Sequence, residues 1–154
     1  MDIPLRTRRL NEWAMLLLRL IVGYGFFAHG MAKWSRGPEK FAKLLSVIQV
    51  PYPAVSAWAV TGVELLGGLA IMLGAFVVIA SIPLAISMLV AMFSIHVRYG
   101  FSAVNTIGLT ATGPVFGPPG YEINLLYIAA LIAVSLAGPG ALSADAWLKA
   151  RRQR

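Results

Sequence analysis

The sequence predicts an all-α polytopic membrane protein, a bundle of four transmembrane helices, and three observations carry that expectation. Hydrophobic residues fill 58% of the 154 positions and charged residues 12%, about half the charged share of an ordinary soluble domain. A soluble domain of this length needs a mostly polar surface, and too few polar residues are present to build one, so lipid is the outer solvent. Four apolar stretches each approach the roughly 20 helical residues that cross a bilayer core. The basic residues gather at the ends of those stretches and in the tails, where anionic headgroups attract them. The net charge of +7 therefore argues for a lipid surface and against nucleic acid.

The expected spans lie near Trp13–Lys33, Ala57–Ala75, Phe76–Val97 and Tyr121–Ala137, within one membrane domain covering residues 1–154. The first follows Arg6, Arg8 and Arg9. The apolar run from Leu10 to Trp34 is too long for a signal core and has no small-residue cleavage site, so it reads as a retained span. Between spans one and two, Gly37-Pro38-Glu39 is a helix start, with proline at the first helical position and an acid in the first turn. Phe41, Leu44, Leu45 and Ile48 then recur at helical spacing, with Lys40 and Lys43 on another face. That pattern predicts a short helix lying in the interface plane, ended by Pro51 and Pro53.

The second and third spans are separated only around Gly74 and must form a tight helical hairpin, and Pro83 is expected to kink the third. The segment from Arg98 to Gly120 is rich in Gly, Pro, Thr and Asn yet contains Ile107, Leu109, Val115 and Phe116. It is expected to fold onto the bundle as a cover or re-entrant loop. In the fourth span, Ala129, Ala133 and Ala137 form a small-residue stripe suited to close helix packing. The tail, residues 141–154, restarts after Gly138-Pro139-Gly140 with Ser143 as a cap.

Four spans place both termini on one side. That side carries Arg6, Arg8, Arg9, Lys149, Arg151, Arg152 and Arg154, against Lys33, Arg36, Lys40, Lys43 and Arg98 opposite. The bias puts both termini in the cytoplasm.

Ionisable groups within spans are costly and are usually kept for function. Arg19 and Glu64 are the deepest, their backbones about 11 Å apart in depth by helical rise, a gap that long side chains or a water can close. Arg19 either pairs with Glu64 or snorkels to the headgroups. Glu64 either takes part in that pair, faces a polar cavity, or is a neutral carboxyl bonded to a neighbouring helix. Gly67 and Gly68 share its face and admit another helix closely, which points Glu64 toward protein. His29 and His96 sit at similar depth on different helices, with Met88 and Met92 below His96. They can serve as hydrogen-bonding groups, as proton-transfer or ligand groups, or as axial haem ligands. Haem is the least favoured, because four short spans leave little packing surface around a porphyrin. Glu122 opens the fourth span, where an acid suits the helix dipole. Without cysteine, disulfide exchange, iron–sulfur ligation and thiolate zinc sites are excluded. No Walker loop, catalytic triad or metal motif is present, so no metal site and no catalytic set is assigned.

Taken in order, Arg19-Leu20, Phe27-x-His29-Gly30-x-x-Lys33, Glu64-x-x-Gly67-Gly68, Asn105, Gly113-Pro114, Gly120-Tyr121-Glu122, Gly138-x-Gly140 and Ser143-x-Asp145 resemble the DoxX family. The resemblance implies a four-helix bacterial plasma-membrane protein, some of whose relatives are subunits of a thiosulfate:quinone oxidoreductase while others associate with oxidant and thiol defence. It supplies no common catalytic motif. The functional expectation is an accessory subunit of a membrane redox system, binding a quinone or another small amphipathic molecule. Its polar cluster would be Arg19, His29, Glu64, His96 and Arg98, with Asn105 and Glu122 as secondary candidates. The alternatives are a small-solute or proton carrier using Arg19 and Glu64, and a structural scaffold for a partner protein. Expected partners are the bilayer, a redox enzyme and, as an open option, further copies of the chain.

Overall fold

The computed structural model describes residues 5–152. Of the basic residues weighed for orientation, the side chains of Arg6, Arg8 and Arg152 and the whole of Arg154 lie outside the described residues. Helix α1 runs from Leu5 to Arg36 and α2 from Pro38 to Val47. A continuous helical rod follows, made of α3 (Pro53–Gly62), a π-helical turn (Val63–Gly67) and α4 (Gly68–Leu73). Next come α5 (Val77–Ser94), a 3₁₀ turn (His96–Tyr99), strands β1 (Thr106–Thr110) and β2 (Gly113–Phe116), α6 (Glu122–Ala137) and α7 (Ala144–Arg152).

Among the described residues three helices are long and apolar enough to cross a membrane, Arg9–Arg36, Pro53–Leu73 and Val77–Ser94, and Glu122–Ala137 is a shorter apolar helix. The second candidate span thus starts at Pro53, four residues earlier than the expected Ala57, because proline at the first helical position opens the helix there. Their outward faces are apolar. Ile21, Leu66, Ile79, Phe93 and Leu136 are among the large side chains left exposed, a belt that water would penalise and lipid accepts. Inside, Val22, Phe26, Ile71, Val77, Leu84, Leu131 and Val134 form the buried core shared by α1, α4, α5 and α6. The Phe26 and Tyr127 rings meet edge to face at 5.1 Å.

Glycines set how α1 lies on the rod. A Cβ on Gly68 would stand 2.6 Å from the Phe27 nitrogen and 2.7 Å from the Gly23 oxygen, and one on Gly30 would stand 2.8 Å from the Leu65 nitrogen. Gly67 instead faces the Leu84 side chain of α5. The paired glycines therefore admit two different helices, α1 at Gly68 and α5 at Gly67. Gly23 also lies against Met72, which defines the antiparallel register. Continued along the helices, that register brings Lys33 beside Glu64 and Arg19 beside Gly74.

Helix α6 begins where α5 ends. The Tyr121 and Glu122 amides donate to the Gly100 and Phe101 carbonyls, and a Glu122 carboxylate oxygen accepts from the Ala103 amide at 2.8 Å. The far end of α6 reaches the other end of the bundle, where the Ala141 amide donates to the Glu12 carbonyl and the Asp145 amide to the Gly74 carbonyl. The buried face of α6 consists of Asn124, Leu131 and Val134. Ala129 and Ala137 are exposed, so the expected alanine stripe is not the packing face within this chain. Larger apolar groups on the opposite side fill the contact better.

The segment expected to cover the bundle is instead an antiparallel hairpin, β1 paired with β2 across Ala111-Thr112, with its strand residues almost all exposed. β-branched Thr106, Ile107 and Thr110 favour extended backbone, and the strands pair with each other, with an irregularity at Ile107, rather than with the helices. Only Pro119 and Gly120, at its base, reach a cavity between the helices. At the other side of the same end, α2 packs on α3 with Leu45 buried, and Trp34 meets Trp58 edge to face at 5.7 Å. Helix α2 starts at Pro38 after Gly37, as its sequence predicts.

Candidate functional site

A cavity of about 650 Å³ opens between α1, α2, α3, the π-turn, α5 and α6, at the end of the bundle where α1 and α5 finish. Its walls are mostly apolar, from Leu45, Val60, Val63, Ile86, Ala91 and Ile123 among others. A few polar groups interrupt them. The size is that of pockets that engulf one small ligand, and an apolar wall with a few fixed polar groups is the usual design of such sites.

Glu64 is the most deeply placed of those groups, 3% exposed, and sits in the π-helical turn. Single π-turns inside α-helices recur at functional sites. Its carboxylate forms an ion pair with the Lys33 ammonium of α1, which also lies 5.2 Å from the centre of the Phe41 ring. His29 precedes Lys33 by one turn and lines the same wall. His96 Nδ1 stands 2.9 Å from the Pro119 carbonyl oxygen. A carbonyl only accepts, so Nδ1 carries the proton in that contact. Asn124 is buried on α6 and donates to the Met88 carbonyl at 3.3 Å. Among the described residues no three His, Asp or Glu side chains converge as a metal set.

The DoxX family model matches residues 14–97, from within α1 to the 3₁₀ turn after α5. The chain belongs to the DoxX family. An uncharacterized protein of Haemophilus influenzae is 28% identical over 140 residues, covering 88% of this chain and 83% of that protein. A Bacillus subtilis protein bearing the name "Putative oxidoreductase CatD" is 29% identical over 90 residues, covering 58% of this chain and 65% of that one. No solved structure matches this chain. The DoxX match takes in His29, Lys33, Glu64 and His96, whereas Asn124 and Tyr127 complete the cavity from beyond it.

Of the polar residues singled out in the sequence of this DoxX protein, His29, Glu64 and His96 line one cavity. Arg98 does not; it donates to the Ser94 carbonyl at 2.7 Å and lies over the Tyr99 ring, in solvent-facing surroundings. Asn105 donates to the Pro118 carbonyl at the hairpin base, and Glu122 holds the Ala103 amide. Both are local fasteners. Arg19 is the largest correction. It is buried, 1% exposed, and is neither paired with Glu64 nor snorkelled. Its guanidinium donates to the carbonyls of Pro139, Ala141 (2.9 Å) and Leu142 (2.7 Å), at the opposite end of the bundle. The helix register explains why: Arg19 faces Gly74, and the residue of α1 that faces Glu64 is Lys33. In sequence Lys33 reads as a flanking charge at a span end, although it follows His29 by four positions and so shares its helix face. Asn124 carried a signal too, as a polar amide inside the apolar run of α6.

Proposed function

We propose that this chain is a four-span protein of the bacterial plasma membrane, both termini cytoplasmic, that holds a quinone or another small amphipathic molecule in the cavity beside Lys33 and Glu64, as an accessory subunit of a membrane redox system. The cavity carries the reading. It pairs an apolar volume of ligand size with one buried ion pair and two histidines, at a place where the outer solvent is lipid. The redox part rests on the name of the Bacillus subtilis relative. Three carbonyls already occupy Arg19, which removes the mid-depth Arg19–Glu64 pair on which a carrier would draw.

Four spans are supported by the path of α6. Its start is bonded to the chain just after α5, and the segment after it is bonded to Glu12, Arg19 and Gly74. Sixteen helical residues cover about 24 Å, and residues 138–142 supply the remainder of a core about 30 Å thick. Single cysteines test this in a chain that has none. Ser143 is buried and caps α7 through its hydroxyl, so the tail label belongs at exposed Ala150, paired with exposed Ser35. An impermeant maleimide on intact cells should label S35C and spare A150C until the membrane is opened. Labelling of both from outside removes the fourth span.

The ligand is tested by mass spectrometry of small molecules retained after purification in mild detergent. Wild-type protein should release one amphipathic species in near-stoichiometric amount, and A91F, which fills the cavity wall, should release at least about tenfold less. Protein that releases nothing while holding a tight protein partner would replace this reading with the scaffold.

A further inference from the structure

A second hollow of about 440 Å³ lies beside the cavity, between the last turns of α1 and the first turns of α2. His29, Lys33 and Phe41 stand in the walls of both, so the two spaces are neighbours across one thin partition. Their chemistry differs. The cavity is apolar, whereas the hollow presents Lys33, Arg36 and Lys40 above an apolar floor of Ala32, Phe41 and Leu44.

The charges do not cancel. Lys33 is taken by Glu64. Glu39 is the nearby acid on α2, its carboxylate close to Gly37 at the rim, and it does not line the hollow. The side chains of Arg36 and Lys40 have no ion-pair or hydrogen-bond partner among the described residues, so positive charge remains in excess. A cationic hollow beside an apolar cavity, with His29, Lys33 and Phe41 common to both walls, fits a molecule with an anionic head and a single apolar tail that runs past those residues.

Resting on the proposed ligand site and narrowing it, we propose that the bound molecule is a single-chain anionic amphiphile, its phosphate or carboxylate head held by Arg36 and Lys40 and its tail lodged beside Glu64. Three arguments support this. Arginine and lysine together provide charge-assisted donors for an oxyanion. The Lys33–Glu64 pair, at the partition, is already neutral overall and does not repel an anion. The cavity volume suits one chain, and a lipid with two acyl chains would have to leave one outside.

The test uses the full chain in phosphatidylcholine nanodiscs and measures equilibrium binding of hexadecyl phosphate and of hexadecanol, matched in tail and different in head. Hexadecyl phosphate should bind at least about tenfold tighter, and R36Q/K40Q should shrink that preference to about twofold or less. A thermal unfolding transition kept by R36Q/K40Q shows that the variant is folded; should it unfold, the same preference is measured with K40Q alone and should fall by about half on a logarithmic scale. Equal binding of the two probes to wild-type protein overturns the anionic head while leaving the cavity reading in place. Binding of neither overturns both. Full displacement of hexadecyl phosphate by equimolar inorganic phosphate would make the hollow a free-phosphate site, and displacement by phosphatidylglycerol in the disc would make it a headgroup site for diacyl lipid. Either result overturns the single-chain ligand.

Discussion

Replacing Arg19 by alanine is expected to cost about 3–5 kcal/mol, among the largest losses expected of any single change in this protein. Hydrogen bonds inside membrane proteins average about 0.6 and reach about 1.7 kcal/mol. The three made by Arg19 belong to the upper end, because the donor is charged and the acceptors are carbonyls that have left helix α6. Without the guanidinium those carbonyls have no donor, and the largest fully buried side chain of the core leaves a void. Loss of this joint also loosens the start of α7. There Asp145 accepts from the Phe76 and Val77 amides at 2.8 and 3.2 Å, an acid placed at the N-terminus of α5. The α7 start and the α4–α5 turn are thereby one unit. Lysine at position 19 keeps the charge but cannot reach three carbonyls with a planar fork, so R19K should recover less than half of the loss.

Gly74 gives an independent probe of the same joint. Its φ is +64°, a conformation that an L side chain resists, and a Cβ there would overlap the Arg19 guanidinium and stand 2.6 Å from the Ser143 Cβ. G74A should therefore destabilise as well, and R19A/G74A should cost less than the sum of the two, since both break one contact. Thermal unfolding in detergent, with limited proteolysis of the tail as a second readout, measures this. Strict additivity would show that the joint is not a unit.

The second large effect is asymmetric. K33M should destabilise by about 3–5 kcal/mol, because it strands the Glu64 carboxylate in the interior. E64Q should cost only about 1–2 kcal/mol, because the Lys33 side chain is 21% exposed against 4% for Glu64, and its ammonium can turn toward water in the basic hollow. Joining both changes as K33M/E64M should restore stability to within about 1 kcal/mol of wild type, as when a buried ion pair is exchanged for apolar groups of similar size. Ligand retention should not return with it. Recovered stability together with lost retention separates the role of the pair in binding from its role in folding. Equal costs for K33M and E64Q, or simple addition in the double variant, would mean that the pair is not coupled. By contrast Arg19 and Glu64 sit at opposite ends of the bundle, and R19Q/E64Q should be additive.

Much of this architecture is legible in the sequence because it depends on local composition and period. An apolar run of sufficient length is a helix in lipid whatever it touches, since no other conformation satisfies its amides there. Proline after Gly37 opens α2, Gly74 marks the turn between α4 and α5, and Ser143 caps α7. The segment after α5 misleads for the same reason in reverse: its apolar side chains suggest burial, but its backbone pairs with itself, and a hairpin needs no cover. His29, Glu64 and His96 stand out one by one, each being a polar group that an apolar span does not carry without cause.

Which polar group meets which is beyond composition. An axial shift of one helical turn between two antiparallel helices moves every cross-pair by several residues, and nothing within either helix reports the shift. Contacts of Gly23, Gly30 and Gly68 decide it, at distances that no larger residue allows. They bring Lys33 to Glu64 and send Arg19 to the carbonyls that follow α6. The sequence by itself determined that the chain lives in lipid, where α2, α5 and α6 begin to within a residue, and which residues are too polar to be idle there. Only the tertiary structure decided that two of the deepest charges belong to different ends of the bundle, because their partners lie on other elements and are chosen by packing rather than by sequence distance.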